Sequence, residues 1–210
     1  MEITWYGLSC FRMMERGMAA IVADPLDLGN GSRLRADIVT VSHDAPGHNA
    51  LDSVRGYRYV LDRPGEYEIG GIFITGVATY NPAMPDESRR NVIFVYDFGK
   101  LTVCHLGDLD HVPAQQQIEA LGPIDVLLVP VGGGLALNGS QAAEVISLIE
   151  PGVVIPMHYH QPGIDVQLDP LDGFLKQMGV AHVEPMDSFK ITSSPAESED
   201  TQVVILNPQV

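Results

Sequence analysis

Histidines and aspartates in this chain gather just beyond short apolar runs. Residues 37–41 lead into Ser42-His43-Asp44-Ala45-Pro46-Gly47-His48, and residues 101–104 into His105-Leu106-Gly107-Asp108. Residues 124–131 lead into Gly132-Gly133-Gly134, and residues 153–155 into Pro156-Met157-His158-Tyr159-His160. Imidazole and carboxylate are the usual ligands of zinc or a similar hydrolytic metal, and a catalytic site leaves one coordination position open. His43, His48, Asp108 and His158 each follow a strand-like run and are the candidate metal ligands, with Asp108 and His158 also candidate catalytic residues. Taken singly, each reads as an ordinary loop residue. Three segments that end in the same way carry the metal reading. His105, His111 and His160 lie near the same segments and read as supporting, structural or exposed, and His182 reads as structural.

Such residues need strands to deliver them. The first half reads as short β runs at 3–6, 11–14 and 20–23, then a polar loop that starts at Asp24-Pro25 and passes Gly29-Asn30-Gly31. Residues 37–41 are few, β-branched and flanked by polar residues, which favours a strand over a helix. Further β runs follow at 57–61, 67–69, 72–75 and 92–96, with a turn at Pro64-Gly65 and a hairpin turn at Asp97-Phe98-Gly99-Lys100. The second half alternates. Helical patterns at 113–121, 140–149 (with Ser140 as cap) and 170–178 separate buried strands at 124–131 and 153–155, and a polar hairpin tip at 193–201 precedes a last strand at 203–206. A β-rich first half and an α/β second half predict two sheets face to face with helices outside.

The chain has 210 residues, 45% of them hydrophobic, enough for a full core in one domain spanning 1–210. Twenty-seven acidic against twelve basic side chains give a net charge of −15, which repels phosphate backbones and anionic lipid. Nucleic acid and membrane surfaces are therefore not expected as partners, and the charge by itself points to no substrate, since solubility explains it equally well. Cys10 and Cys104 are far apart and read as reduced, buried thiols. With no signal-like start and no apolar stretch near the ~20 residues that span a bilayer, the expected location is cytoplasmic.

Several segments together resemble the metallo-β-lactamase superfamily, and within it the small bacterial, lactonase-like metal-dependent hydrolases. Ser42-His43 to His48-Asn49 falls where that family has a His-x-His-x-Asp-His loop. Pro64-Gly65-Glu66-Tyr67-Glu68 resembles a turn of this subgroup, His105-Leu106-Gly107-Asp108-Leu109 its Gly-Asp motif, Val129-Pro130-Val131-Gly132-Gly133 a neighbouring loop, and Ile155-Pro156-Met157-His158-Tyr159 its last histidine motif. The matches run in order over roughly residues 1–190. The resemblance implies an α/β fold, the αββα sandwich, with a pocket at one edge of two mixed sheets. It also implies homo-oligomers, which relatives often form.

The departures matter as much. His43 and His48 match the first and last histidines of the loop, but Ala45 stands at the middle histidine and Gly47 at the aspartate. The histidine of the third motif falls at Tyr80-Asn81. Asp44 points away from its neighbour His43 in an extended loop and is a poor substitute, and an Asn81 amide is a poor zinc ligand. What remains fits at most one zinc or manganese ion per chain, or none. The implied activity is hydrolysis of a small ester, lactone or phosphorylated metabolite through a metal-bound water, and the alternative is a metal-free relative that binds or assembles. Gly132-Gly133-Gly134 lacks the Lys-Ser/Thr ending of a phosphate loop and reads as a tight turn.

Overall fold

The computed structural model describes residues 1–29, 31–83, 90–195 and 201–209. Part of the predicted loop at 29–31 and of the hairpin tip at 193–201 lies outside them. Alternation of buried and half-buried residues forms β1 (Glu2–Trp5) and β2 (Phe11–Met14), whose inward faces are Ile3, Trp5, Phe11 and Met13. They join β3 (Ile21–Ala23), β5 (Ile38–Thr40), β7 (Tyr59–Leu61) and β14 (Phe189–Lys190) in a six-stranded sheet ordered β14-β1-β2-β3-β5-β7. A separate parallel pair, β4 (Leu34–Arg35) and β6 (Val54–Arg55), lies beside it.

The chain crosses to the second sheet at Asp62-Arg63-Pro64. That sheet contains β8 (Gly65–Ile69), β9 (Ile72–Thr79), β10 (Asn91–Asp97), β11 (Thr102–His105), β12 (Val126–Pro130), β13 (Val153–Met157) and β15 (Gln202–Val203), ordered β15-β13-β12-β11-β10-β9-β8. β8 to β11 form an antiparallel meander, and β11, β12 and β13 run parallel. The fully buried pattern of β12 and β13 fits a parallel sheet covered on both faces. Helices α1 (Gln115–Glu119) and α2 (Gly139–Ile149) make the crossovers, and α3 (Leu171–Gln177) packs on α2.

One continuous core lies between the sheets, from Trp5, Phe11 and Ile21 on one side to Ile74, Phe94 and Leu128 on the other. A Thr40–Tyr96 hydroxyl pair, 2.6 Å apart, links the two sheets inside it. A second cluster of Val22, Val39, Leu34, Ala36 and Val54 covers the outer face of the six-stranded sheet. The two mixed sheets face to face are thus present, but among the described residues the expected helices lie only with the β11–β13 half of the seven-stranded sheet, and the layer outside the six-stranded sheet is built from the β4–β6 pair, one short 3-10 turn at Leu51–Ser53 and loops. The α2 cap is Asn138 rather than Ser140: its side chain accepts from the Ser140 and Gln141 amides, and the Gln141 side chain accepts from the Asn138 amide. The predicted last strand ends early, at Val203, with Leu206 making one isolated bridge to Met186. Cys10 and Cys104 are both free and buried. Among the described residues no helix is long and apolar enough to cross a membrane.

Candidate metal centre

The predicted residues lie just past the C-terminal ends of parallel strands: His43 and His48 beyond β5, Asp108 beyond β11, His158 directly after β13. Open parallel sheets present their binding crevices at these ends. All four converge. Asp108 Oδ2 lies 3.6 Å from His43 Nε2, 3.4 Å from His48 Nε2 and 3.5 Å from His158 Nε2. These separations are long for hydrogen bonds. They match the ligand-to-ligand distances of about 3.3–3.6 Å expected when donors sit 2.0–2.2 Å from one tetrahedral ion. His48, Asp108 and His158 form a compact group of possible ligands, and a second group shares His48 with His43 and Asp24.

Asp24, which follows β3, was not singled out from the sequence. Its carboxylate is 1% exposed and accepts from the Ser42 amide (2.7 Å), the Ser42 hydroxyl (2.5 Å) and His48 Nδ1 (3.1 Å). Since the Ser42 hydroxyl gives its proton to Asp24, it accepts at 3.0 Å from His43 Nδ1. One buried carboxylate therefore sets two tautomers. His43 and His48 both carry hydrogen on Nδ1 and turn bare Nε2 lone pairs toward Asp108, the arrangement a metal-binding histidine takes from its outer hydrogen bond. His158 differs: its Nδ1 is buried with no partner among the described residues.

The charges follow the same geometry. Burial opposes ionisation of Asp24, but the His48 hydrogen bond and the charges of His105 and His48 outweigh it and hold the carboxyl at about 2. Burial likewise opposes the His48 imidazolium, yet the bond to Asp24 and the nearby Asp108 carboxylate raise its pKa. His43 and His158 are pushed down, first by burial and in part by neighbouring histidines, with Asp108 opposing.

Backbone geometry fixes the carboxylate. Gly107 has φ +59°, and a Cβ there would strike Asn91 Oδ1 and lie 2.5 Å from Ser42 Cβ. Asn91 Oδ1 accepts the Asp108 amide (3.0 Å), while its Nδ2 donates to the Leu106 carbonyl. Ser9 Oγ donates to Asp108 Oδ1 at 3.4 Å, and the Ser9 carbonyl accepts from His105 Nε2. His105 is thus a buried structural residue. Leu8, Asp24 and His158, three of the four described non-glycine residues with positive φ, all border the centre.

Other sequence expectations fall elsewhere. Asp44 accepts from the Asn49 side chain, and Asn81 donates to Asp110, so neither belongs to the cluster. His111 pairs with Asp110, and His160 is exposed. His182, expected to be structural, instead lies on the surface beside Glu184. Gly132 bridges to Asn138 and donates its amide to the His158 carbonyl, and the tight turn closes from Gly133 to Ala136. A cavity of about 620 Å3 opens next to His43, lined also by Asp44, Asn49, Asp62 and Arg90.

A family profile described as the β-lactamase superfamily domain matches residues 2–158. A Thermotoga maritima protein assigned to the metallo-β-lactamase superfamily as a zinc-dependent hydrolase superposes with a TM-score of 0.81. It is 37% identical, with 98% of this chain and 97% of that one covered. An Archaeoglobus fulgidus protein described as a UPF0173 metal-dependent hydrolase is 26% identical over 99% of this chain and 96% of its own length. An Ignicoccus hospitalis metallo hydrolase at 23% identity and TM-score 0.66 shares the fold. The strand-end cluster, the two-sheet sandwich and these matches agree, and the chain belongs to the metallo-β-lactamase superfamily.

Proposed function

We propose that this protein is a single-ion metal-dependent hydrolase acting on a small ester, lactone or phosphorylated metabolite. The observation that carries the reading is the convergence of three imidazole Nε2 atoms on one oxygen of Asp108 at 3.4–3.6 Å. His48, Asp108 and His158 would hold the ion, with His43 beside them, and a donor set rich in imidazole favours zinc over manganese. A bound ion there supplies Lewis acidity, polarising a carbonyl or phosphoryl oxygen and acidifying water. The chain's own residues do the rest. Asp24 and Ser42 keep the His43 and His48 lone pairs directed inward. Ser9 engages one oxygen of Asp108 and leaves the other facing the histidines. Substrate would enter the cavity beside His43, where the Arg90 guanidinium gives one N–H to the Asp62 carbonyl at 3.3 Å and has further donors for a substrate oxygen.

Ala45 and Gly47 favour a second reading, a metal-free binding or assembly protein in the same cytoplasmic setting. In that state a protonated His48 would lie between Asp24 and Asp108. The deciding experiment is metal content by mass spectrometry on tag-free protein re-supplied with zinc or manganese and desalted. Roughly one ion per chain supports the hydrolase and is followed by turnover assays with lactones, aryl esters and phosphate esters. No retained ion refutes it in favour of the metal-free reading.

A further inference from the structure

Outside the metal centre, one cavity is walled largely by hydrocarbon. Its volume is about 540 Å3, within the range of small-molecule sites, and Leu8, Leu26, Pro46, Ile164 and Val166 line it. Gly7 also borders it, and a Cβ there would lie 3.4 Å from Ile164 Cδ1 and from Leu26 Cδ2 and 3.5 Å from Gln161 Oε1. The Gln161 amide therefore stands between two apolar walls. The sequence sets its place: Gln161-Pro162-Gly163-Ile164 closes as a turn, with Gly163 at φ +87° and the Ile164 amide donating to the Gln161 carbonyl at 3.3 Å. Proline and then glycine at the two middle positions are what a type II turn favours. Gln161 is 6% exposed, and its Oε1 accepts from the Leu8 amide at 3.2 Å. That bond assigns the oxygen and leaves Nε2 as the free end. Nε2 has no partner among the described residues and is not sealed from the cavity. Side chains buried to this degree are ordinarily hydrogen-bonded, so the idle donor marks where a ligand atom can be held. Charge narrows the ligand further. Among the described residues that line the cavity, Asp27 is the one charged side chain. An anion would meet that carboxylate and no cation, whereas a neutral carbonyl offers the acceptor that Nε2 lacks.

We propose that this cavity binds a neutral aliphatic carbonyl compound (a ketone, ester or amide), its chain against Leu8, Leu26, Ile164 and Val166 and its oxygen on Gln161 Nε2. Burial of the chain supplies the affinity, and the amide selects for the oxygen. The site uses none of the candidate metal ligands, so it stands apart from the hydrolase reading.

The test is calorimetric titration of chelator-treated protein with methyl heptyl ketone, which has no bond for a hydrolase to cut. Saturable binding near one ketone per chain is expected, and shortening the chain to methyl pentyl ketone should weaken it about two- to fourfold per CH2 removed. Val166 is 43% exposed, so Val166→Trp can fill the cavity from its rim without disturbing the core. That variant should bind the ketone at least about tenfold more weakly. Gln161→Glu keeps an oxygen for the Leu8 amide but removes the donor, and should weaken binding about threefold or more. Nonanoate, equal in carbon number but charged, should bind more weakly than the ketone. No saturable binding, unchanged affinity in Val166→Trp, or nonanoate bound as tightly as the ketone overturns the proposal. A folded Gln161→Glu protein with wild-type affinity overturns the role of the amide. If that variant is insoluble, the side-chain NH2 resonance of Gln161 in wild type decides: it should move as ketone is added, and an unmoved resonance overturns the role. A dimer that Val166→Trp dissociates, and that takes up no ketone, gives the cavity to a second copy of the chain and overturns the proposal.

Discussion

Asp24→Asn separates the role of the buried carboxylate from its shape. The amide keeps an oxygen for the Ser42 N–H but places a donor where Asp24 Oδ2 now accepts from Ser42 and His48. His48 Nδ1 must then accept, which moves its hydrogen to Nε2, the atom 3.4 Å from Asp108. A protonated Nε2 cannot bind a metal. Loss of such an outer partner commonly costs ~10–100-fold in metal affinity, or about 1.4–2.7 kcal/mol. The carboxyl sits at about 2 when folded against 3.8 in the open chain, and at about 1.4 kcal/mol per unit this gives about 2 kcal/mol of stability at neutral pH. Because the folded pKa is depressed, that stability is complete above about pH 4 and disappears as pH falls toward 2. At about 2–4 °C per kcal/mol for a chain of this size, the metal-free variant should melt roughly 4–8 °C lower at pH 7. It should also show a shallower decline between pH 4 and 2. Zinc competition, calorimetry across pH and 15N NMR of the imidazoles measure each part. A variant whose His48 still carries hydrogen on Nδ1, or whose zinc affinity stays within about threefold of wild type, would refute the tautomer argument.

Three further predictions follow from single observations. His158→Ala should reduce bound zinc from roughly one ion per chain to a trace after desalting; retention at the wild-type level would remove His158 from the ligand set. Gly107→Ala, which forces a Cβ against Asn91 and Ser42 at positive φ, should cost at least about 2 kcal/mol, or about 4 °C or more in Tm, and a wild-type melt would contradict the packing. Burial pushes the Cys10 thiol up to about 12 and Cys104 higher still, so a thiol reagent at pH 8 should label neither until denaturant is added, and labelling of native protein within minutes would count against their burial.

The sequence made the strands legible where burial alternates or is complete. Phe11–Met14 matches its expected span, and 124–131 and 153–155 fall on β12 and β13. The candidate ligands were legible because each follows such a run. Asp24 was not. An acid before proline reads as the start of a loop, and nothing local says that it meets His48, twenty-four residues on. A usable signal was present nonetheless, since Asp24 ends an apolar run just as His43 and Asp108 do. Leu8 and Ser9 sit in the tight turn between β1 and β2, where an apolar and a small residue carry no pattern, and only the fold brings them to Gly47 and Asp108. The α2 cap was ambiguous because Asn138 and Ser140 are both good caps two residues apart. The Asn138–Gln141 exchange of hydrogen bonds settles it.

Charge balance distinguishes the two functional readings. Asp24 and Asp108 bring two negative charges to a centre whose hydrogen-bond and ion-pair partners, among the described residues, include no lysine or arginine. With neutral imidazoles, the bare Nε2 atoms of His43 and His48 face a carboxylate oxygen, acceptor against acceptor. One proton on His48 relieves part of this and is favoured by both carboxylates, but it leaves the bare His43 Nε2 facing the Asp108 carboxylate at 3.6 Å. A second proton would have to enter His43 or His158, whose pKa values burial pushes down, with the His43 ring 4.2 Å from that of His48. A divalent cation neutralises both carboxylates at once and uses the lone pairs that Asp24 and Ser42 hold inward. Burying uncompensated charge is costly enough that a centre built this way favours the cation over the proton. Under the proposed reading, alanine and glycine at positions 45 and 47, where the resemblance implies ligands, therefore argue for fewer ions and do not by themselves argue for none.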